Sequence, residues 1–375
     1  MIRVGLVGAG GYSGAELLRL LLQHPHCQEV TLFSSTLESI YEGNSQLPED
    51  RWQRGRHYED YAAIYPAFYG LGLKICGLPA DAPDKRDEWE VFYRSFDLIF
   101  LATPHAVSAQ IVGRYLELHD GAWARIIDLS GALRLKQPEL YRLWYHEDTL
   151  GAAELQGCQY GLSELYRSSI APAQIVANPG CYATAAILAL APLAKHGLLG
   201  RVRVDAKSGV SGAGKKATES THFPHANESL SLYKLHKHQH IPEIESILAD
   251  CAAKSIPPLT FTTHLLPITR GIMATCYVDL AHCAIDFHEL YQRFYAESVF
   301  VQIRPAGENI PQIRDVSFSN RCDIGLSCNP RNQELVVVSV IDNLLKGASG
   351  QAVQNMNLMF GWEEQCGLPR IGALP

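Results

Sequence analysis

Apolar residues come in short unbroken runs through the first third of the chain, the pattern of strands buried on both faces. "IRVGLV" (2–7), "QEVTLFSS" (28–35), "FDLIFLATPH" (96–105) and "ARIIDLSG" (124–131) read as four such strands. Between the first two lies "GAGGYSG", then "AELLRLLLQHP", a helix expected to end before Pro25. "AVSAQIVGRYLEL" supplies the helix after the third strand. This order of strand, glycine turn, helix and strand opens a doubly wound α/β sheet of the Rossmann kind. Residues 39 to 95 interrupt it with a polar stretch rich in Tyr, Pro and Gly, which predicts long loops around one or two short elements.

"QIVANPG" then leads into Cys181 and an apolar helix of about 15 residues. Beyond residue 200 the runs begin to alternate. "RVRVDAKSG", "PLTFTTHLLPI", "GIMATCYVDL", "FVQIRP" and "ELVVVSVID" are strand-like, with "PEIESILADCAAK" and "DFHELYQRFYAES" as helices between them. They predict an α+β second domain with a mixed or antiparallel sheet. The last helical stretch, "GASGQAVQNMNLMFG", is expected to return to the first domain. The expected division is 1–180 with 344–375 for the nucleotide-binding part, and 181–343 for the catalytic and oligomerisation part.

Composition narrows the function. The 375 residues are 47% hydrophobic and 19% charged, with a net charge of −7 and no basic block, which argues against nucleic acid and anionic membranes as partners. The amino-terminal apolar run lacks signal-peptide features, and the longest run, 183 to 194, is short of the roughly 20 residues that span a bilayer. A soluble, cytoplasmic protein is expected. The ten cysteines form no C-x-x-C pair, so most should be reduced and many buried as small hydrophobes.

Three motifs carry chemistry. Gly8, Gly10 and Gly14 space as a variant dinucleotide fingerprint. Such a turn lets backbone amides approach a pyrophosphate at a helix N-terminus, with Gly11, Tyr12 and Ser13 alongside; the plain alternative is a tight strand-to-helix turn. The second strand ends "LFSST" without the carboxylate that holds the ribose hydroxyl in NAD-selective sites. Ser34, Ser35 and Thr36 suit a 2′-phosphate, so NADP(H) is the expected cofactor. Cys181, directly after Asn-Pro-Gly, falls at a helix N-terminus, where unpaired amides and the macrodipole favour thiolate. The plain alternative is a buried structural thiol. A thiolate beside a nicotinamide suggests attack on an activated acyl group and reduction of the thioester, with a histidine as acid/base.

His236, His238 and His240 alternate, so an extended backbone would point all three one way. A solvated strand or a metal cluster are the alternatives, but no nearby Cys or carboxylate completes a zinc set, and no metal is expected. "KSGVSGAGKKATES" (207–220) offers amides, hydroxyls and ammonium groups to a phosphate or carboxylate; a flexible connection would look similar.

"GAGGYSGAELLRLL", "DLSGALRL", "YGLSEL", "NPGCYAT", "SGVSGAGKKA", "HQHIPEI", "HLLPITRGI" and "DNLLKGASGQAVQNMNLM" together resemble the N-acetyl-gamma-glutamyl-phosphate reductases of arginine biosynthesis, from residue 2 to about residue 361. The resemblance implies NADPH-dependent reduction of an acyl phosphate to N-acetyl-glutamate 5-semialdehyde and phosphate, in a homodimer or homotetramer. Aspartyl phosphate or an aminoadipyl analogue is the alternative substrate. Cys181 matches the nucleophile and His238 the acid/base, with His240 the second histidine of the motif. Thr103, Pro104 and Asn343 fall along the cofactor. Arg134, Ser211, Gly212, Gly214 and Lys215 match anion contacts of the substrate. Two departures stand out: residues 42 to 92 form a longer stretch than the family pattern, and "DLSADFRL" reads "DLSGALRL" here.

Overall fold

Strand β1 (Ile2–Val7) is almost wholly buried because it runs down the centre of the first sheet, paired in parallel with β2 (Cys27–Phe33) and β5 (Leu98–Leu101). The computed structural model describes residues 1–34, 58–79, 85–118, 123–281, 283–307 and 309–373. Helix α1 (Tyr12–Leu21) connects β1 to β2. Then come β3 (Tyr58–Asp60), α2 (Tyr61–Ile64), β4 (Lys74–Cys76), α3 (Arg86–Arg94), α4 (His105–Leu118) and β6 (Arg125–Asp128). The chain continues through α5 (Pro138–Tyr145), α6 (Ala152–Gln156), β7 (Gln159–Tyr160), α7 (Ser163–Ile170) and β8 (Ile175–Ala177). The sheet order is β3-β4-β2-β1-β5-β6-β8-β7. Its order reverses between β1 and β5, and open α/β sheets bind ligands beyond the carboxyl ends of the strands at such a point.

Among the described residues, six strands precede residue 131 rather than four. The extra pair lies in the polar stretch, where β4 extends the sheet beside β2 and β3 turns back along it. Ser35, Thr36 and most of the polar stretch's first half lie outside the described residues.

The second sheet follows α8 (Cys181–Lys195), an apolar helix buried along nearly its whole length. It contains β9 (Val202–Gly209), β10 (Ser231–Tyr233), β11 (Thr260–Leu266), β12 (Ile272–Asp279), β13 (Val301–Ile303), β14 (Cys322–Asn329) and β15 (Glu334–Ile341). The order is β10-β11-β9-β12-β15-β14-β13, with parallel and antiparallel neighbours mixed. Helices α8, α10 (His240–Ala252) and α11 (Phe287–Phe294; α9, Phe223–Ala226, is one short turn) cover one face and make a single apolar cluster with it.

After β15 a π-helical turn (Leu345–Ser349) leads into α12 (Gly350–Met359). Leu345, Ala352, Val353 and Met356 pack into the same core as Val4, Leu6 and Leu17, so the last helix closes the first sheet. The Arg270 guanidinium bridges the units, held by Glu16 of α1 at 3.2 Å and Asp342 at 3.0 Å. No described helix is long and apolar enough to cross a membrane.

Candidate active site

Pro179 and Gly180 bring the chain out of β8 and start α8 at Cys181. Thr184 returns its amide to the Gly180 carbonyl at 2.8 Å, the first bond of the helix, so the amides of Cys181 and Tyr182 stay at its open end. Cys181 lines a cleft of about 320 Å³ between the two units. Gly11 to Gly14, His105, Arg134, His240, Asn343 and the loop residues Ser211, Gly212, Gly214 and Lys215 share it.

Glycine is required at two positions flanking the sulfur. A Cβ on Gly180 would collide with His240 Nε2 and come within 2.7 Å of Arg134 Nη1. A Cβ on Gly347, in the π-helical turn, would lie 2.8 Å from the Cys181 Cβ. The Asn-Pro-Gly signature therefore lets an imidazole and a guanidinium close in beside the cysteine.

The three histidines do not lie on a strand. Lys234 and His236 take left-handed φ values of 48° and 57°, the backbone turns, and α10 begins at His240. His236 is exposed. His238 is buried behind His240, ring centres 4.6 Å apart, and its Nδ1 accepts the His240 amide at 3.2 Å. The expected acid/base, His238, is thus held off the cleft by the turn, while His240 faces it. Burial pushes the pKa of both imidazoles down, that of His238 to about 2. Both therefore favour the neutral form.

Burial also governs the sulfur. It pushes the Cys181 thiol up to about 11, outweighing the opposing pull of Arg134 and of the amides of Tyr182 and Cys181. Position at a helix terminus favours the thiolate, but here desolvation costs the anion more than those dipoles return and pulls the thiol the other way. Iodoacetamide labelling of Cys181 should accordingly be slow at pH 7 and accelerate about tenfold per pH unit up to roughly pH 10. Peptide mass spectrometry of quenched samples checks this; fast labelling that is flat in pH would contradict it.

Arg134 follows from the turn after β6. Its Nε donates to the Asn178 carbonyl and its Nη2 to that of Leu129, both at 2.8 Å, and its Nη1 lies 3.4 Å from Glu243 Oε2. Glu243, in the first turn of α10, also accepts the Gly180 amide and the Tyr160 hydroxyl, each at 2.8 Å. One carboxylate therefore ties together the guanidinium and the corner before Cys181. The sequence reading missed it, and the only local signal was its place three residues after His240. His105 was also missed. It lines the cleft at the carboxyl end of β5 and accepts the Gly131 amide on Nδ1 at 2.8 Å. Burial lowers it to about 4, so it is neutral too.

Other expected residues divide. Thr103 is buried with its hydroxyl 2.6 Å from that of Ser108, and Pro104 is exposed; neither lines the cleft, because the chain turns His105 inward instead. Asn343 lines the cleft, yet both ends of its amide are engaged: Oδ1 accepts from Gly271 at 2.7 Å and Nδ2 donates to Ser211 at 2.9 Å. It holds the Ser211 loop in place, and its Nδ2 keeps a second N–H at the cleft.

The glycine loop fits a dinucleotide. Gly8 has a φ of 87° and sits against the Ala102 carbonyl, and Gly14 packs on the Gly8 carbonyl, so neither tolerates a Cβ. Nothing lies within 4 Å of a Cβ placed on Gly10. The first bond inside α1 runs from the Ala15 amide to Gly11, leaving the amides of residues 12 to 14 at the open end. Ser34 follows β2 directly, and its amide donates to the Cys76 carbonyl at 2.9 Å.

Residues 3–53 and 78–173 match the NAD-binding domain model of semialdehyde dehydrogenases, and residues 181–343 match the dimerisation domain model. N-acetyl-gamma-glutamyl-phosphate reductase from Bacillus amyloliquefaciens is 44% identical over 99% of this chain and 98% of its own. The chain belongs to the N-acetyl-gamma-glutamyl-phosphate reductase family. The family's reductase from Geobacillus stearothermophilus is 42% identical over the whole of both chains. The NAD-binding domain model leaves residues 54–77, within the long polar stretch, unmatched. Among solved structures, aspartate semialdehyde dehydrogenase II from Vibrio cholerae has a TM-score of 0.64 at 16% identity, covering 96% of this chain and 99% of its own. The NADP-containing aspartate semialdehyde dehydrogenase from Candida albicans has a TM-score of 0.62 at 12% identity. At these identities the likeness is one of fold.

Proposed function

We propose that the chain reduces N-acetyl-L-glutamyl 5-phosphate with NADPH, giving N-acetyl-L-glutamate 5-semialdehyde and phosphate through a thioester on Cys181. The observation that carries this reading is the meeting, in one cleft, of a cysteine at a helix N-terminus, a neutral imidazole and a dinucleotide-type glycine loop. His240 takes the Sγ proton as the sulfur attacks the acyl carbon. A neutral imidazole suits this step, since the thiol is protonated until the substrate arrives. The amides at the start of α8 face the carbonyl oxygen as it becomes an oxyanion. Phosphate departs past Ser211, Gly212 and Gly214, whose loop Asn343 braces. Arg134, with two guanidinium N–H bonds on backbone carbonyls, keeps further donors for a substrate anion. A nicotinamide dinucleotide held by the glycine loop would supply the hydride that reduces the thioester. His240 then returns its proton as the aldehyde leaves and the thiol is regenerated.

Gly10, Gly11, Tyr12, Ser13 and Gly14 hold the cofactor in this reading, and the lack of a carboxylate at the end of β2 favours NADPH over NADH. Saturation curves should give the lower KM for NADPH; a lower KM for NADH would reverse the assignment. The two parts divide at 180/181 and 343/344, the second carrying the contacts of a homodimer or homotetramer, in the cytoplasm. The decisive assay runs the reaction backwards: NADP reduction with N-acetyl-glutamate semialdehyde should require inorganic phosphate. Turnover without phosphate, or a preference for aspartate semialdehyde, would overturn the proposal.

A further inference from the structure

Lys215 belongs to the loop after β9 in the second unit, yet its Nζ lies 3.4 Å from the Gly10 carbonyl of the glycine loop. It also stands over the ring of Tyr65, 4.3 Å from the centroid. Tyr65 is fixed from behind. Its hydroxyl donates to the same Gly10 carbonyl at 3.1 Å, and its ring lies 5.6 Å from that of Tyr61, whose hydroxyl donates to the Ala9 carbonyl at 2.8 Å. Two tyrosines from the polar stretch thus occupy the carbonyl side of the glycine loop and leave its amide side to the cleft.

A long contact to a carbonyl and the face of an aromatic ring are modest partners for an ammonium group. Among the described residues Lys215 forms no ion pair with a carboxylate, and its side chain is exposed. Gly214, with a φ of 88°, turns the chain between Ser211 and Lys215, sending the ammonium away from the Ser211 hydroxyl and toward residues 10 to 14. An anion lying on those amides would be a far better partner than the ring.

We propose that Lys215 is a latch for the pyrophosphate of the dinucleotide, not a ligand of the acyl phosphate, with the Tyr65 ring as its resting place. The inference rests on the cofactor reading above. When the dinucleotide binds, the ammonium swings from the ring to the pyrophosphate, while the Ser211 end of its loop stays braced by Asn343.

The test is fluorescence titration of NADPH into the wild-type protein, Lys215→Ala and Lys215→Arg at two salt concentrations. Lys215→Ala should weaken NADPH binding about tenfold and flatten its salt dependence, and Lys215→Arg should restore most of both. The KM for inorganic phosphate, measured in the reverse reaction at saturating NADP, should stay at the wild-type value. Unchanged NADPH affinity in Lys215→Ala overturns the latch; if the phosphate KM rises at the same time, Lys215 belongs to the acyl phosphate. Wild-type protein that binds no NADPH would instead overturn the cofactor reading on which the latch rests.

Discussion

Cys181→Ser protein is expected to lose reductase turnover by at least about a thousandfold while binding NADPH as the wild type does. The thiol, even pushed up to about 11, lies far closer to an imidazole in acidity than an alcohol does. His240 can share a proton with sulfur during attack but cannot deprotonate serine to a useful extent. The glycine loop and α1 are separate from α8, so the cofactor's seat should be untouched. Steady-state turnover and NADPH fluorescence titration on one preparation check both halves. A serine variant retaining a tenth of the activity would remove the thioester from the mechanism.

The second large effect is structural. Glu243→Ala should destabilise the protein by about 3–5 kcal/mol, because it leaves the Arg134 guanidinium buried without its counter-charge. Arg134 and Glu243 side chains are 7% and 1% exposed, so water offers little compensation. The same change frees the Gly180 amide and the Tyr160 hydroxyl. Glu243→Gln keeps an acceptor in place and should lose less. Urea titrations of the three proteins give the comparison. An alanine variant that unfolds at the wild-type midpoint would show that the carboxylate contributes nothing net.

How far the sequence foretold these features depended on the range of the forces behind them. The glycine turn with α1, and the Asn-Pro-Gly corner with α8, are local events: a few residues determine the backbone, and both elements form where the pattern predicts. Strand β14 was not legible. Its Asp323 is fully buried and breaks the apolar pattern, and only the distant Arg304, 2.8 Å away, together with Arg321 makes that position tolerable. The histidine run failed for a related reason. Alternation fits a strand, but the left-handed turns at Lys234 and His236 depend on how α10 docks. His240 rather than His238 consequently reaches Cys181's cleft. Glu243 was invisible because its partners, Arg134, Tyr160 and Gly180, are between 63 and 109 residues away. The desolvation that opposes the thiolate at Cys181 comes from the packed fold, which no neighbouring residue in the sequence reports.

Helix α12 has a consequence for synthesis. The ribosome makes β1, α1 and β2 first, but the apolar surface on which Val353 and Met356 settle stays bare until Gly350–Met359 has left the exit tunnel. The nucleotide-binding half must therefore wait, partly assembled, while the younger half emerges and folds around α8. A nascent chain stalled anywhere before Gly350 would present that unfilled groove to chaperones and proteases.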